Sequence, residues 1–460
     1  MNCCGVSRRS VLGAVAGLAV GAAAGVGSAR GQGVPVVATD LEVVTVTDTS
    51  AVLTWTTSAN GQPVATGTEV RLGPADALGA PPQVFEDPEP TPFHYAEIDG
   101  LEPGRRYKFE AWSQGARATP AASLVTGSPG TPEVTGEFTT LVPPAGRLLR
   151  TIALANDVHY GEEVSGLLVG GFPPGFRQVP QLPPYPDVML DALLGDARTR
   201  GVDTLIVAGD LTDEARPGET RSVREKLDTW GTLGRDWFAV RGNHDRPHRG
   251  EEYAACAPLG EYRDCFGDLF APRQQLVTAE LGGLRLVGLD TADLDGAGGR
   301  MDPAQLDHLD QILRADPDRP TLMFSHHPVT TESGLTNIAG PGFVLDGPSA
   351  TALQRTYERA PGVFLHHSGH THRNRRTRPD APIAVEFLEV AAVKEYPGGY
   401  GLLRIYEGGY MVNFHKTRTA HARQWSATTR GQYFGFLPEY ALGTFADRNH
   451  VVARDFSGLR

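Results

Sequence analysis

Between residues 34 and 140, apolar and polar positions alternate with a period of two. The stretch LEVVTVTDTSAVLTWTT (41–57) does so on both sides of a turn at 48–50, and TEVRLG and YKFEAW continue it. Connections such as PADALGAPP and PEPTPF are rich in proline and glycine. Short strands joined this way predict an all-β sandwich. In TTLVPPAGR (139–147), Pro143 and Pro144 cannot continue a ladder, so the segment reads as a linker. From residue 148 the pattern changes. Continuous apolar runs (LLRTIALAND, DTLIVAGD, WFAVRGNHD, LRLVGLD, TLMFSHHP, GVFLHHSGH) alternate with helical periodicity, which predicts helices near 188–200, 221–233, 303–313 and 349–358. Buried strands alternating with helices predict an α/β domain over 148–416. Residues 417–460 form an aromatic extension expected to pack on it.

At 460 residues and 40% hydrophobic content, the chain can build two or three full cores. The formal net charge of -12 lacks the basic footprint of a general nucleic-acid binder and leaves small phosphorylated substrates open. Residues 1–30 carry a different signal. Paired Arg8 and Arg9 precede an apolar run over 11–26 and the small residues Gly27-Ser28-Ala29. This resembles a twin-arginine export signal cleaved after Ala29. The run is Ala/Gly-rich and shorter than the ~20 residues a membrane span needs, so the mature protein is expected to have no stable span. Cleavage there would remove Arg8 and Arg9 and no acidic residue, which takes the net charge from -12 to -14. Cys3 and Cys4 would leave with it. Cys256 and Cys265 remain, an even count in an oxidising compartment, and a disulfide closing a short loop is the expectation. Two free thiols are the alternative.

The chemistry lies where the apolar runs end. IALANDVH delivers Asp157 and His159; LIVAGD delivers Asp210; FAVRGNHD delivers Asn243, His244 and Asp245; LMFSHHP delivers His326 and His327; FLHHSGHTH delivers His370 and His372. Residues just beyond the carboxyl ends of parallel strands converge on one crevice, so these distant side chains are expected to meet. Two cations about 3.5–4 Å apart need a shared anionic ligand, and Asp210 suits that place. Imidazole and carboxylate donors fit iron, manganese or zinc, and the absence of thiolates argues against a purely structural zinc. His366 and His367 lie inside their apolar run and read as packing or supporting residues.

In order, D-x-H, G-D, G-N-H-D, H-x-P and G-H-x-H resemble the calcineurin-like metallophosphoesterases over roughly 148–416. The resemblance implies a fold of two central β-sheets flanked by helices. It also implies two divalent or trivalent ions: Asp157, His159 and His372 would hold one, Asn243, His326 and His370 the other, with Asp210 between them. It assigns His326 over His327, because the family places one residue between ligand and proline. The activity implied is hydrolysis of phosphate mono- or diesters by a hydroxide shared between the ions. His244 would be a general acid or transition-state donor, with Asp213 pairing to it as in some relatives.

The N-terminal sandwich resembles a fibronectin type III domain through Leu101, Pro103-Gly104, Tyr107 and Trp55. That order of domains is similar to purple acid phosphatases. Those enzymes have a tyrosine three residues after the bridging aspartate, where Asp213 stands here, and lack the histidine present here as His159. A colourless enzyme closer to the phosphodiesterase branch is therefore expected. The segments 161–187 and 330–343 are candidate rims of the crevice, with Arg246 and Arg300 as possible phosphate contacts. Two other classes stay open. H-x-H also occurs in amidohydrolases and lactamase-like hydrolases, although HTHRNRR lacks the Asp-His the latter need. A cell-surface binding protein that uses the sandwich domain and has a degenerate catalytic site is the third reading. The sequence leaves the oligomeric state open.

Overall fold

The computed structural model describes residues 35–76, 82–166, 174–245, 264–293 and 296–460. The proposed signal (1–30), Cys256 and Arg246 lie outside them. Cys265 is disulfide-bonded.

The alternating segments form two antiparallel sheets. Val37–Val46, Ser50–Ala59, Gln62–Pro63 and Phe93–Asp99 make one; Gln83–Thr91, Thr66–Pro74, Arg106–Ser113, Ala116–Arg117 and Glu137–Thr139 make the other. Their inward positions Val43, Leu53, Trp55, Val70, Leu72, Phe109 and Phe138 share one core. The Tyr107 hydroxyl accepts a hydrogen bond from the Glu102 amide at 2.9 Å, which fixes the corner read from the sequence.

The second region holds two six-stranded sheets. The first runs, in spatial order, Trp237–Val240, Thr204–Ala208, Leu148–Ala155, Gly399–Tyr406, Gly409–Lys416, Asn449–Ala453. The second runs Val277–Leu281, Leu284–Leu289, Thr321–Ser325, Val363–Ser368, Glu386–Glu389, Arg375–Thr377. Three neighbouring strands of the first sheet and four of the second are parallel. The sheets face each other across Ile152, Leu154, Ile206, Phe238, Leu286, Phe324 and Leu365. The ligand-bearing strand ends thus come from both sheets. Helices cover the outer faces. Tyr185–Thr199, which has Pro186 in its first turn, buries Val188, Met189, Leu193 and Ala197. Pro303–Ala315 and Gly347–Glu358 start at Asp302 and Asp346, whose side chains accept amide hydrogens of the first turn. No helix among the described residues is long and apolar enough to cross a membrane.

Two elements differ from the sequence reading. The helix expected over 221–233 is Pro217–Asp228. Pro217 fixes its start, and Trp230 and Leu233, which continue the apolar spacing, pack on the core from the following turn. The 417–460 extension also does more than pack: Asn449–Ala453 adds an antiparallel edge strand beside Gly409–Lys416.

The sandwich is joined to the sheets by buried charge. Glu42 of the first strand pairs with Lys416 and Arg430 and accepts from the Tyr396 hydroxyl. Burial would raise its pKa, and the two cations overcome that and lower it to about 2. Arg200 and Arg418 both reach Glu97, and Arg448 donates to the carbonyls of Val43 and Val44.

Candidate metal centre

Three of the five motifs, D-x-H, G-D and G-H-x-H, turn sharply as their strands end. Asp157, His159, Asp210, His370 and His372 all have positive φ, between 47° and 67°. Non-glycine residues rarely adopt this region, and asparagine, aspartate and histidine do so most readily. Backbone bonds hold the turns together. Val158 and His159 amides donate to the Asp210 carbonyl at 2.8 and 2.9 Å, and the Gly369 amide donates to His326. Two glycines are dictated by space. A Cβ on Gly242 would sit 2.1 Å from Asp210 Oδ1, and one on Gly369 would sit 2.6 Å from Asp157 Oδ2. In the three motifs that carry a glycine, at Gly209, Gly242 and Gly369, that glycine is where a candidate ligand of another motif passes.

The seven residues expected to be ligands converge. Around Asp157, Oδ1 lies 3.2 Å from His372 Nε2 and 3.8 Å from His159 Nε2. Around His326, Nε2 lies 3.1 Å from Asn243 Oδ1 and 3.0 Å from His370 Nδ1. Asp210 joins the two groups: its Oδ2 is 3.5 Å from His159 Nε2 and 3.1 Å from His326 Nε2. Its Oδ1 accepts from the His244 amide at 2.9 Å, so only Oδ2 faces both groups.

These residues fit a pair of cations. At ligand distances of about 2.1 Å, the edge of a tetrahedron is roughly 3.4 Å, within the range of these separations. Asp157 Oδ1 and both ring nitrogens of His159 are buried without a hydrogen-bond partner. Such atoms are costly unless something polar meets them. The donor set has carboxylates, imidazoles and an amide oxygen, as expected for iron, manganese or zinc. The electrostatics agree. Burial opposes ionisation of Asp157 and Asp210, yet neighbouring histidines hold both carboxyls well below the usual range. Burial also disfavours charge on His326, and Asp210 nevertheless raises it to about 9. Burial, helped by the charge of Lys394, lowers His159 to about 4.

His326 Nδ1 donates to the Ala208 carbonyl at 2.9 Å, which leaves Nε2 for the centre. His327 is also within reach of His326 and His370, with its Nδ1 2.9 Å from Thr291 Oγ1. His244 lies beside His159, with ring centroids 4.5 Å apart, and is partly exposed. Its Nδ1 donates to the backbone carbonyl of Asp213 at 2.6 Å, while the Asp213 carboxylate is 4.0 Å away. The pairing read from the sequence therefore runs through the main chain. Burial, with the charge of Glu162, pushes the Asp213 carboxyl up to about 6. Arg300 faces Asp346 and Asp293 at 3.5 and 3.7 Å, so it is already engaged by carboxylates. Of the rim segments, Phe343 stacks on His370 at 3.9 Å, and Ser165 and Phe176 exchange backbone bonds beside the site.

Asn156, Lys394 and Glu395 were not singled out from the sequence, and Asp245 was placed at a strand end without a role. Asn156 donates to Asp157 Oδ2 at 2.6 Å. The Asp245 carboxylate takes the amides of Leu211, Thr212 and Gly242 and so ties two motif loops together. Glu395 accepts from His372 Nδ1 at 2.7 Å, and Lys394 pairs with Glu162. A signal for the last pair existed: FLEVAAV is another apolar run, and it ends in Lys394-Glu395.

The Calcineurin-like phosphoesterase family model matches residues 150–374, and the Fibronectin type III domain model matches residues 36–123. A fibronectin III-like sandwich thus precedes a metallophosphoesterase α/β fold. The probable cyclic nucleotide phosphodiesterase of Synechococcus sp. is 30% identical over 183 residues, 40% of this chain; the chain spans 62% of that relative's length. Among solved structures, a dimetal phosphatase from Danio rerio shares 16% identity at a TM-score of 0.43, covering 59% of this chain and 98% of its own. A purple acid phosphatase from yellow lupin shares 12% identity at a TM-score of 0.43, covering 92% of this chain and 76% of its own.

Proposed function

We propose that this chain is an exported, metal-dependent phosphoesterase of the D-x-H type that cleaves small phosphate esters, diesters in particular. The observation that carries the reading is the position of Asp210 Oδ2 between His159 and His326, which makes one centre of two ligand groups. The preference for diesters rests on His159 and on Asp213 standing where purple acid phosphatases have tyrosine. The name of the Synechococcus relative points the same way. Export rests on Arg8, Arg9 and the apolar run behind them. A binding protein with a decayed site is disfavoured, since all seven expected ligands are present and together.

Two ions held there would supply Lewis-acid polarisation of the phosphoryl oxygens and water of lowered pKa. The chain's own contribution is positional. Asp157, Asp210 and the surrounding imidazoles fix the charge and shape of the centre. His244 keeps its Nδ1–H on the Asp213 carbonyl, so in the neutral ring Nε2 is the free acceptor. As imidazolium, the ring can donate Nε2–H to the departing alkoxide and return to that neutral tautomer.

The test is elemental analysis of the purified protein together with hydrolysis of aryl phosphate mono- and diesters in Mn, Fe or Zn. Two ions per chain and a faster diester reaction are expected. Hydrolysis of neither ester by the metal-loaded protein would overturn the reading.

A further inference from the structure

The dipeptide Lys394-Glu395 is almost fully buried beside the metal centre, and each of its groups leads to a different part of the chain. Glu395 Oε1 accepts from His372 Nδ1 at 2.7 Å. Its Oε2 accepts from Ser165 Oγ at 2.5 Å, and Ser165 in turn accepts from Gln432 Nε2 at 2.8 Å. Lys394 Nζ bonds both oxygens of Glu162 at 2.6 and 2.7 Å, and the Tyr185 hydroxyl donates to the same carboxylate. The main chain is pinned as well. The Lys394 amide donates to the Asp157 carbonyl, its carbonyl accepts from Trp425 Nε1 at 2.7 Å, and the Tyr396 amide donates to Thr429 Oγ1 at 2.9 Å. Helix Ala420–Thr429 and Gln432 therefore hold the far side of the segment that touches His372.

An imidazole beside a carboxylate places its proton on the facing nitrogen, which fixes the lone pair on the other. Here that other nitrogen is His372 Nε2, 3.2 Å from Asp157 Oδ1.

We propose that Glu395 is a positioning residue for the metal ligand His372, held in place by Ser165 and Gln432, so that the C-terminal segment 420–432 is a working part of the Asp157–His159–His372 half of the centre. This rests on the dinuclear reading above. Glu395 acts by fixing the tautomer and the ring plane of His372. Supporting partners of this kind change metal affinity by about 10–100-fold when removed.

The experiment uses the full chain and counts bound metal after titration of the metal-free protein with Mn or Zn, for wild type, Glu395→Ala, Glu395→Gln, Ser165→Ala, His372→Ala and the double variant Glu395→Ala/His372→Ala. Glu395→Ala should weaken one of two ions by about 10–100-fold. Glu395→Gln, whose amide oxygen can still accept from Nδ1, should recover part of that loss, and Ser165→Ala should give a smaller one. In the His372→Ala background, Glu395→Ala should add nothing, because the residue works through that ring. Equal weakening of both ions, an undiminished effect in that background, or unchanged binding in both Glu395→Gln and Ser165→Ala would overturn the proposal. Fewer than two ions bound by wild type would instead overturn the dinuclear reading itself, and the two failures are told apart by the unmodified protein.

Discussion

Gly369→Ala isolates the claim that the motif glycines are set by crowding between loops. Gly369 does not have positive φ, so alanine meets no backbone penalty there. The added Cβ would lie 2.6 Å from Asp157 Oδ2 and 2.6 Å from Asn156 Cβ. Ordinary carbon contacts are about 3.5–4.0 Å, so one side must yield by roughly 1 Å. The Asp157 oxygen cannot move that far and keep its bonds from the His370 amide, at 2.9 Å, and Asn156 Nδ2, at 2.6 Å. Hydrogen bonds to a charged group contribute about 1.5–3 kcal/mol each, so losing both costs about 3–6 kcal/mol if nothing else relaxes. Thermal unfolding of the metal-free variant should show a loss of at least about 3 kcal/mol, near the upper end for single substitutions. The ion held by Asp157 should be lost as well, as read by elemental analysis. Gly195→Ala is the control: this exposed helical glycine has nothing within 4 Å of the added Cβ, and its replacement should stabilise by about 0.5–1 kcal/mol. A Gly369→Ala protein with two ions and stability within about 1 kcal/mol of wild type would refute the crowding argument.

Asp210→Asn should weaken both ions together, measured by metal titration, and selective loss of one would remove Asp210 from its bridging place. His244→Ala should lower kcat by about 10²–10⁴ with metal content intact; loss of metal in that variant would make His244 a ligand. The joint between the domains should be acid-sensitive. The folded pKa of Glu42 lies near 2, below its ordinary value of 4.5, so its stabilisation is present above pH 4.5 and is lost as pH falls toward 2. Burial pushes its partner Lys416 downward, so the carboxylate carries this linkage. Glu42→Gln should flatten the fall in unfolding midpoint across that window, and an unchanged profile would count against the joint as described.

The candidate ligands were legible because a buried strand advertises its end: an unbroken apolar run stops, and whatever polar group follows must sit at the edge of the sheet. The same logic applied to FLEVAAV would have exposed Lys394 and Glu395, but neither residue falls in one of the five motifs. What the sequence hid was long-range pairing. Glu42 meets Lys416 across 374 positions, and no local pattern marks either as buried. The helix end at Asp228 was hidden for another reason, since Trp230 and Leu233 keep helical spacing while packing from a turn. Asp213 was identified as a neighbour of His244, yet the bond is made by its carbonyl, an atom every residue has.

The left-handed turns at Asp157, His159, Asp210, His370 and His372 bear on how such a centre tolerates mutation. Aspartate and histidine are among the few side chains at ease in that conformation, and they are also among the commonest donors to a metal. One choice of residue therefore satisfies two unrelated demands. A chemically reasonable exchange such as aspartate to glutamate would meet resistance from the chain's geometry before any ion arrived, which leaves few single-step routes by which these five positions can drift.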